Sequence, residues 1–563
     1  MPIRGFLGRH GWLLAVAITY LYVFPYFPKI QSANELPRVY LVKAIAEDHG
    51  FSIDAGVKRW GPTADVSPSG GHSYSNKAPG SSMLAVPPYA AVRAVAGPPS
   101  LGTTMWICRV VAGIVPTLLF LGLMYRFLAR YVPEPAIRQL VCLAYALGSM
   151  AMTYSLLFYS HQLGASCIAS AWIFGLEAAE EKRGLRAFGA AGALAGCAAL
   201  VDYQAVFAVL PIAVHVIVAM RARPLGDLGK AIAIAGACAA VPIAILLAYH
   251  AVCFGSPWRT GYDASTTFSF YHQHGFLGIT ELRWDAFYGS LVKIDNGLFA
   301  LAPWLLLAVP GGIVLARGTE RVVVSRRALV EIGAGAALCT IAIVLGLLHA
   351  SLVWVVGPIA LGAGAILSGL IRLKSGGELG TVVVATAITV IYVLFISSIN
   401  FWRGGWGVGP RYIVAVLPFL LPLVAVALAE LRRVPILCGV ALGTIVVGVV
   451  IYTLSSLTFP YWPDSLANPL VDVTFRLLAH DLVAPNLASA AGLDGVAGML
   501  PVLVLVAGVI GFTIWRVGDW RGLGLAVGVA GAMLVGYALL PHGGDRADRA
   551  FAFVRDAVIS SHR

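Results

Sequence analysis

Apolar residues fill this chain in long unbroken runs, and the polar positions gather between the runs. A helix needs ~20 apolar residues to cross the hydrocarbon core of a bilayer. The pattern predicts spans at about 11–28, 101–125, 139–157, 163–179, 187–202, 204–220, 231–253, 297–316, 330–349, 353–371, 381–399, 412–430, 435–456, 497–515 and 523–541. The first run, Gly11 to Phe27, leads into Pro28-Lys29 without a small-residue cleavage site. It therefore reads as a span and not as a cleaved leader. Three of the polar intervals are long: Pro28–Ser100, Phe254–Asn296 and Thr458–Asp494. In the tail from His542 to Arg563, Phe551, Val554 and Val558 recur at helical spacing, which predicts a surface helix.

Composition agrees with the pattern. Of 563 residues, 59% are hydrophobic and 12% charged, against about 25% charged in an ordinary soluble domain. A soluble enzyme and a disordered chain are poor fits. The net charge of +12 suggests nucleic acid only until the charges are placed. With the N-terminus inside, the short inner turns hold Arg4/Arg9, Arg126/Arg130/Arg138, Lys182/Arg183/Arg186, Arg221/Arg223/Lys230, Arg317/Arg321/Arg326/Arg327, Arg372/Lys374, Arg432/Arg433 and Arg516/Arg521. This is the positive-inside pattern, so the basic residues set orientation and touch lipid headgroups; no nucleic-acid partner is expected. The eight cysteines lie in or beside apolar runs without metal spacing and read as small hydrophobes.

The expected outer segments carry the acids, among them Glu35, Asp54, Asp65, Asp263, Asp285, Asp295, Asp464, Asp472 and Asp494. A transporter keeps such groups near the midplane; here chemistry at the outer surface is the natural reading. In the first loop, Asn34-Glu35-Leu36-Pro37-Arg38 opens a segment whose apolar positions 39, 41, 42 and 45 predict an amphipathic helix along the interface. Glu35 and Arg38 share the face of its first turn. An acid beside an arginine can serve as a general base, or the two can form an ion pair that only anchors the helix. Further on, Lys77 stands among turn formers in Tyr74-Ser75-Asn76-Lys77-Ala78-Pro79-Gly80. It is placed to bind phosphate as a point charge or to snorkel before a helix.

Glu35-x-x-Arg38 followed by Tyr74-x-x-Lys77-x-Pro79 resembles the first outer loop of the GT-C superfamily of integral membrane glycosyltransferases, which includes the lipid A aminoarabinose transferases and protein O-mannosyltransferases. The resemblance implies an all-α polytopic GT-C type fold of about 15 spans, with large outer loops after spans 1 and 7. It implies a catalytic region over 1–430, with outer loops 28–100 and 254–296, followed by C-terminal helices over 431–563 with loop 458–494 and an outer tail. The implied activity is transfer of a hexose or pentose from a polyprenyl-phosphate donor to a lipid, glycan or protein acceptor outside the plasma membrane. Carried over residue by residue, Glu35 is the catalytic acid, with Arg38, Tyr74 and Lys77 on the substrate. Glu stands where Asp is commoner, and Asn34 breaks any acidic pair. The metal set is therefore empty, and a divalent ion is left as an open cofactor.

Other candidates follow from their surroundings. His161, in Tyr159-Ser160-His161-Gln162, sits at the outer start of a span and either orients substrate or bonds to backbone. Asp202 is an acid in a very apolar hairpin, hence a functional candidate or a cap; Asp65 in the first loop is a further candidate. The stretch Asn400 to Tyr412 holds four glycines, two tryptophans, Arg403 and Arg411. Glycine lets backbone approach a ligand, and arginine grips phosphate with a planar fork. An aromatic belt with snorkelling arginines is the other reading. Two histidines, His272 and His274, lack nearby carboxylates for a metal. No GxxxxGK[ST] motif is present, which argues against ATP-driven transport. The rival function is a flippase or transporter for a lipid-linked sugar, with a ligase using diphosphate-linked glycans as a third.

Overall fold

A computed structural model describes residues 2–30, 32–272, 278–318 and 377–562, with scattered positions between 330 and 362. The spans expected at 330–349 and 353–371 fall largely outside the described residues, and His274 wholly so. Elsewhere helices occupy the expected positions, several of them shorter than a full span. Leu101–Arg130, Leu225–Phe254, Glu378–Ser398, Arg411–Leu431, Pro435–Thr458 and Gly495–Ala538 are long and apolar enough to cross a membrane. Pro135–Leu147 and Met150–Leu156 form one run bent by 55°. His10–Tyr22, Arg186–Val201, Tyr203–Ala219 and Pro303–Arg317 are shorter apolar helices. Among the described residues the strands are those of one hairpin, Val66–Ser69 with His72–Ser75. The protein has an all-α, polytopic membrane fold.

Local chemistry explains where helices break and meet. The run Gly495–Ala538 is two helices broken at Asp519, whose φ is 56°. The Asp519 carboxylate accepts the Arg521 N–H at 2.7 Å, capping the second helix where the expected basic turn lies. Between Arg186–Val201 and Leu225–Phe254, Gly192 and Gly196 let the backbones touch. A Cβ on Gly192 would sit 2.0 Å from the Ala235 carbonyl, the small-residue contact that lipid-embedded helices use. One cluster of buried apolar side chains runs from Trp12 to Val558. The tail helix, Asp545–Ser561, buries Phe551, Val554 and Val558 as its spacing predicts.

The 28–100 loop departs from expectation. Leu36–Glu47 is helical, but every residue from Leu36 to Ala44 is buried, so it does not lie amphipathically on an interface. The loop folds over it. Asp54–Trp60, the hairpin and Gly80–Ala96 enclose the helix, and Val39, Tyr40 and Leu41 join Tyr89, Met105, Phe158 and Phe254 in a second apolar cluster. Lys43, polar on a covered face, is held by Glu47 and Asp48.

Candidate functional site

Pro37 sits in the first turn of Leu36–Glu47, where its fixed φ suits the helix and its missing N–H costs nothing. Glu35, the residue before the helix, does not cap it with its side chain. Its carboxylate points instead into the bundle, wholly buried, against Arg109. Arg109 Nε and a terminal nitrogen reach the two oxygens at 3.0 and 3.2 Å. The Phe158 N–H donates to the same carboxylate at 2.7 Å, as does the Tyr461 hydroxyl. Both oxygens are thus occupied by four donors. The expected Glu35–Arg38 pairing does not form. Arg38 folds back on the Asn34 carbonyl and side chain and donates to Ser160 Oγ at 2.9 Å.

Lys77 is delivered by the hairpin. Gly70 and Gly71 take φ of +55° and +81°, the two left-handed positions of a tight hairpin turn. The resulting register pairs Val66 with Ser75, which sets Asp65 opposite Asn76. Asn76 donates its side-chain amide to Asp65 at 3.1 Å, and Lys77 Nζ lies 2.8 Å from the other oxygen. The 254–296 loop covers this group: Tyr262 lies under the Lys77 ammonium at 5.4 Å from its ring centre. Gly261 is so close that a Cβ would fall 2.3 Å from Asn76 Cα. Glu35 and Lys77 therefore do not meet; Lys77 is salted to Asp65, and Glu35 to Arg109.

Three cations converge nevertheless. Arg38, Lys77 and Arg411 are 3%, 6% and 7% exposed; Arg411 lowers the proton affinity of both Arg38 and Lys77, and Arg38 lowers that of Lys77. Burial pulls the Lys77 ammonium below its usual range; Asp65 opposes this, and Arg38 and Arg411 add to it. Arg411 stacks between Tyr159 and Tyr412, 5.3 and 5.5 Å from their ring centres. Among the described residues, no carboxylate lies within ion-pair distance of Arg38 or Arg411, and Nε of each is buried without a partner. Buried guanidinium without a counter-charge is costly. The arrangement is suited to an anion with several acceptor oxygens.

His161, in the first turn of Ser160–Ala179, pairs through Nδ1 with Asp202 at 2.7 Å. The pair lines a small cleft, with room for about one water, together with Gln204, Tyr392, Arg411 and Tyr412. Arg403 takes no part in this group: its guanidinium is ion-paired to Asp295. Tyr74 packs its ring against Phe254 at 6.0 Å. Among the described residues no three His, Cys, Asp or Glu side chains are grouped to hold a metal. Sequence reasoning passed over Arg109, Tyr461 and Tyr262. Arg109 carried a signal, being a lone arginine inside the apolar run 101–125; the two tyrosines carried none.

No protein-family model matches the chain, and none of the curated proteins searched does. Among solved structures the chain is similar to ArnT from Cupriavidus metallidurans bound to undecaprenyl phosphate, at 16% identity and a TM-score of 0.43, over 94% of this chain and 78% of that one. It is similar also to the same protein in the apo state, at 16% identity and a TM-score of 0.40, over 95% of this chain and 77% of that one.

Proposed function

We propose that the protein is a membrane glycosyltransferase that moves a sugar from a polyprenyl-phosphate donor to an acceptor outside the membrane. One observation carries the reading: Arg38, Lys77 and Arg411 converge in a buried site with more positive charge than Asp65 and Asp202 balance. The Glu35-x-x-Arg38 and Tyr74-x-x-Lys77-x-Pro79 motifs support it through their resemblance to the GT-C first outer loop. The isoprenoid lies in lipid, the phosphate reaches the cations, and they neutralise it as it leaves. Such charge stabilisation is commonly the largest catalytic contribution. Glu35, saturated by Arg109, Tyr461 and Phe158, holds the wall of this site and not the proton. Substrate contacts fall to Arg38, Lys77 and Arg411, and Arg403 and Tyr74 support the loops around them.

The test is binding of undecaprenyl phosphate to the purified protein, followed by transfer from a lipid-linked sugar pool. Lys77→Gln and Arg411→Gln should each weaken binding by about tenfold or more, since a charge-assisted bond contributes roughly 1.5–3 kcal/mol. Unchanged binding in both variants refutes the site. Scrambling of the lipid in proteoliposomes without any transfer favours the flippase reading, and preference for a diphosphate-linked donor favours the ligase.

A further inference from the structure

We infer that His161, oriented by Asp202, is the base that takes the proton from the acceptor hydroxyl; the inference rests on the transferase reading and deepens it. Two facts about the imidazole carry it. Its Nδ1 is held by Asp202 at 2.7 Å, and its Nε2 is buried with no partner. A proton on Nδ1, facing the carboxylate, leaves the Nε2 lone pair free. Burying such an atom unsatisfied marks a place where something else supplies the partner. The side chain is 7% exposed, walled by the rings of Tyr154, Tyr159 and Tyr412 at 6.0, 6.3 and 5.8 Å. One end of the Gln204 side-chain amide lies 3.3 Å from Nδ1 and the other is buried and unpartnered, so the same cleft offers a second group to a hydroxyl-bearing ligand.

Position completes the argument. Arg411 lines the His161 cavity and also belongs to the cation group. Ser160, next to His161 in the chain, takes the Arg38 hydrogen bond at 2.9 Å. Base and phosphate site are therefore adjacent, as a displacement at the sugar between them requires. Glu35, by contrast, has no free oxygen to accept a proton.

In the step, the acceptor O–H bond breaks and its proton moves to Nε2 while the oxygen bonds to the anomeric carbon. The bond from that carbon to the phosphate oxygen breaks, and its electron pair leaves with the polyprenyl phosphate, held by Lys77, Arg38 and Arg411. The imidazolium is stabilised by the Asp202 carboxylate and returns its proton to water. His161 is the catalytic residue and Asp202 a positioning residue.

The test uses the full-length protein with two readouts: affinity for undecaprenyl phosphate in detergent, and glycan product in the envelope of cells whose own copy is deleted and replaced by each variant. His161→Gln should lose product formation about a hundredfold or more, the scale of general base catalysis, while binding undecaprenyl phosphate within about twofold of wild type. Asp202→Asn should behave the same way, and Asp202→Glu should recover part of the rate. Full product with His161→Gln overturns the inference, and so does loss of lipid binding in step with product, which would make the histidine a phosphate ligand or a structural prop. If the wild type binds no undecaprenyl phosphate and leaves the envelope glycans unchanged, the transferase reading itself falls, and the inference with it.

Discussion

Glu35 shows how one side chain can carry the mark of a catalytic acid and do other work. Its carboxylate is locked by Arg109 from 74 residues away and Tyr461 from 426 residues away, and nothing of it faces Lys77. Such a pair stabilises weakly as a unit, because desolvation offsets attraction, yet removing one partner strands a buried charge at a cost of about 3–5 kcal/mol. Glu35→Gln and Arg109→Met should therefore each lower the melting temperature in detergent, while the double variant recovers most of the loss. A Glu35→Gln variant that melts like wild type but transfers no sugar would restore the acid to the chemistry. Neither Arg109 nor Tyr461 is adjacent in sequence to the acid it holds, so the pairing was out of reach of motif spacing. The lone arginine in an apolar run was its one visible sign.

At the level of elements, the glycine-rich loop before Arg411–Leu431 has a mechanical explanation. Gly404 has φ of +71°, and a Cβ there would lie 2.5 Å from Arg411 Nε. Gly405 has φ of +88°, but its Cβ would meet only Phe401, at 3.6 Å. Alanine strains the backbone by a similar amount at both positions, so the difference between them isolates the displacement of Arg411. Gly404→Ala should weaken undecaprenyl phosphate binding about tenfold relative to Gly405→Ala, or about 1.4 kcal/mol; equal affinities would free Arg411 from the loop's control. The helices themselves could be read in the sequence, because lipid demands ~20 apolar residues wherever the chain crosses it. Lys77, Arg411, His161 and Asp202 were marked by residue type, but which of them meet depends on hairpin register and helix packing. That is why Arg403, equally marked by its glycine and tryptophan neighbours, turns out to be paired with Asp295. The interfacial placing of Leu36–Glu47 failed for a related reason: an apolar stripe shows that one face is covered, and says nothing about what covers the others.

Across the whole molecule the charged groups separate to two ends of the bundle. His161 begins its helix, Asp202 ends the next, and Arg411 begins another, so all three lie at the end that bears the 28–100 loop. At the other end Arg130 pairs with Glu180, Arg183 with Glu177, and Arg223 reaches the Ala178 carbonyl at 3.0 Å. The positive-inside rule predicts a cytoplasmic second end, with the cation group at the outer face. Cysteine labelling in a Cys339→Ser background decides the matter, because among the described residues Cys108, Cys142, Cys253 and Cys438 are buried, and Cys167, Cys197 and Cys238 half-buried. Val95 and Trp258 are exposed within the 28–100 and 254–296 loops, and Leu225 is exposed at the opposite end. Val95→Cys and Trp258→Cys should react with a membrane-impermeant maleimide in intact spheroplasts, and Leu225→Cys only after permeabilisation. The reverse pattern would open the Lys77 site to the cytoplasm, where nucleotide-linked sugars are at hand, and would remove the reason for a lipid to carry the donor.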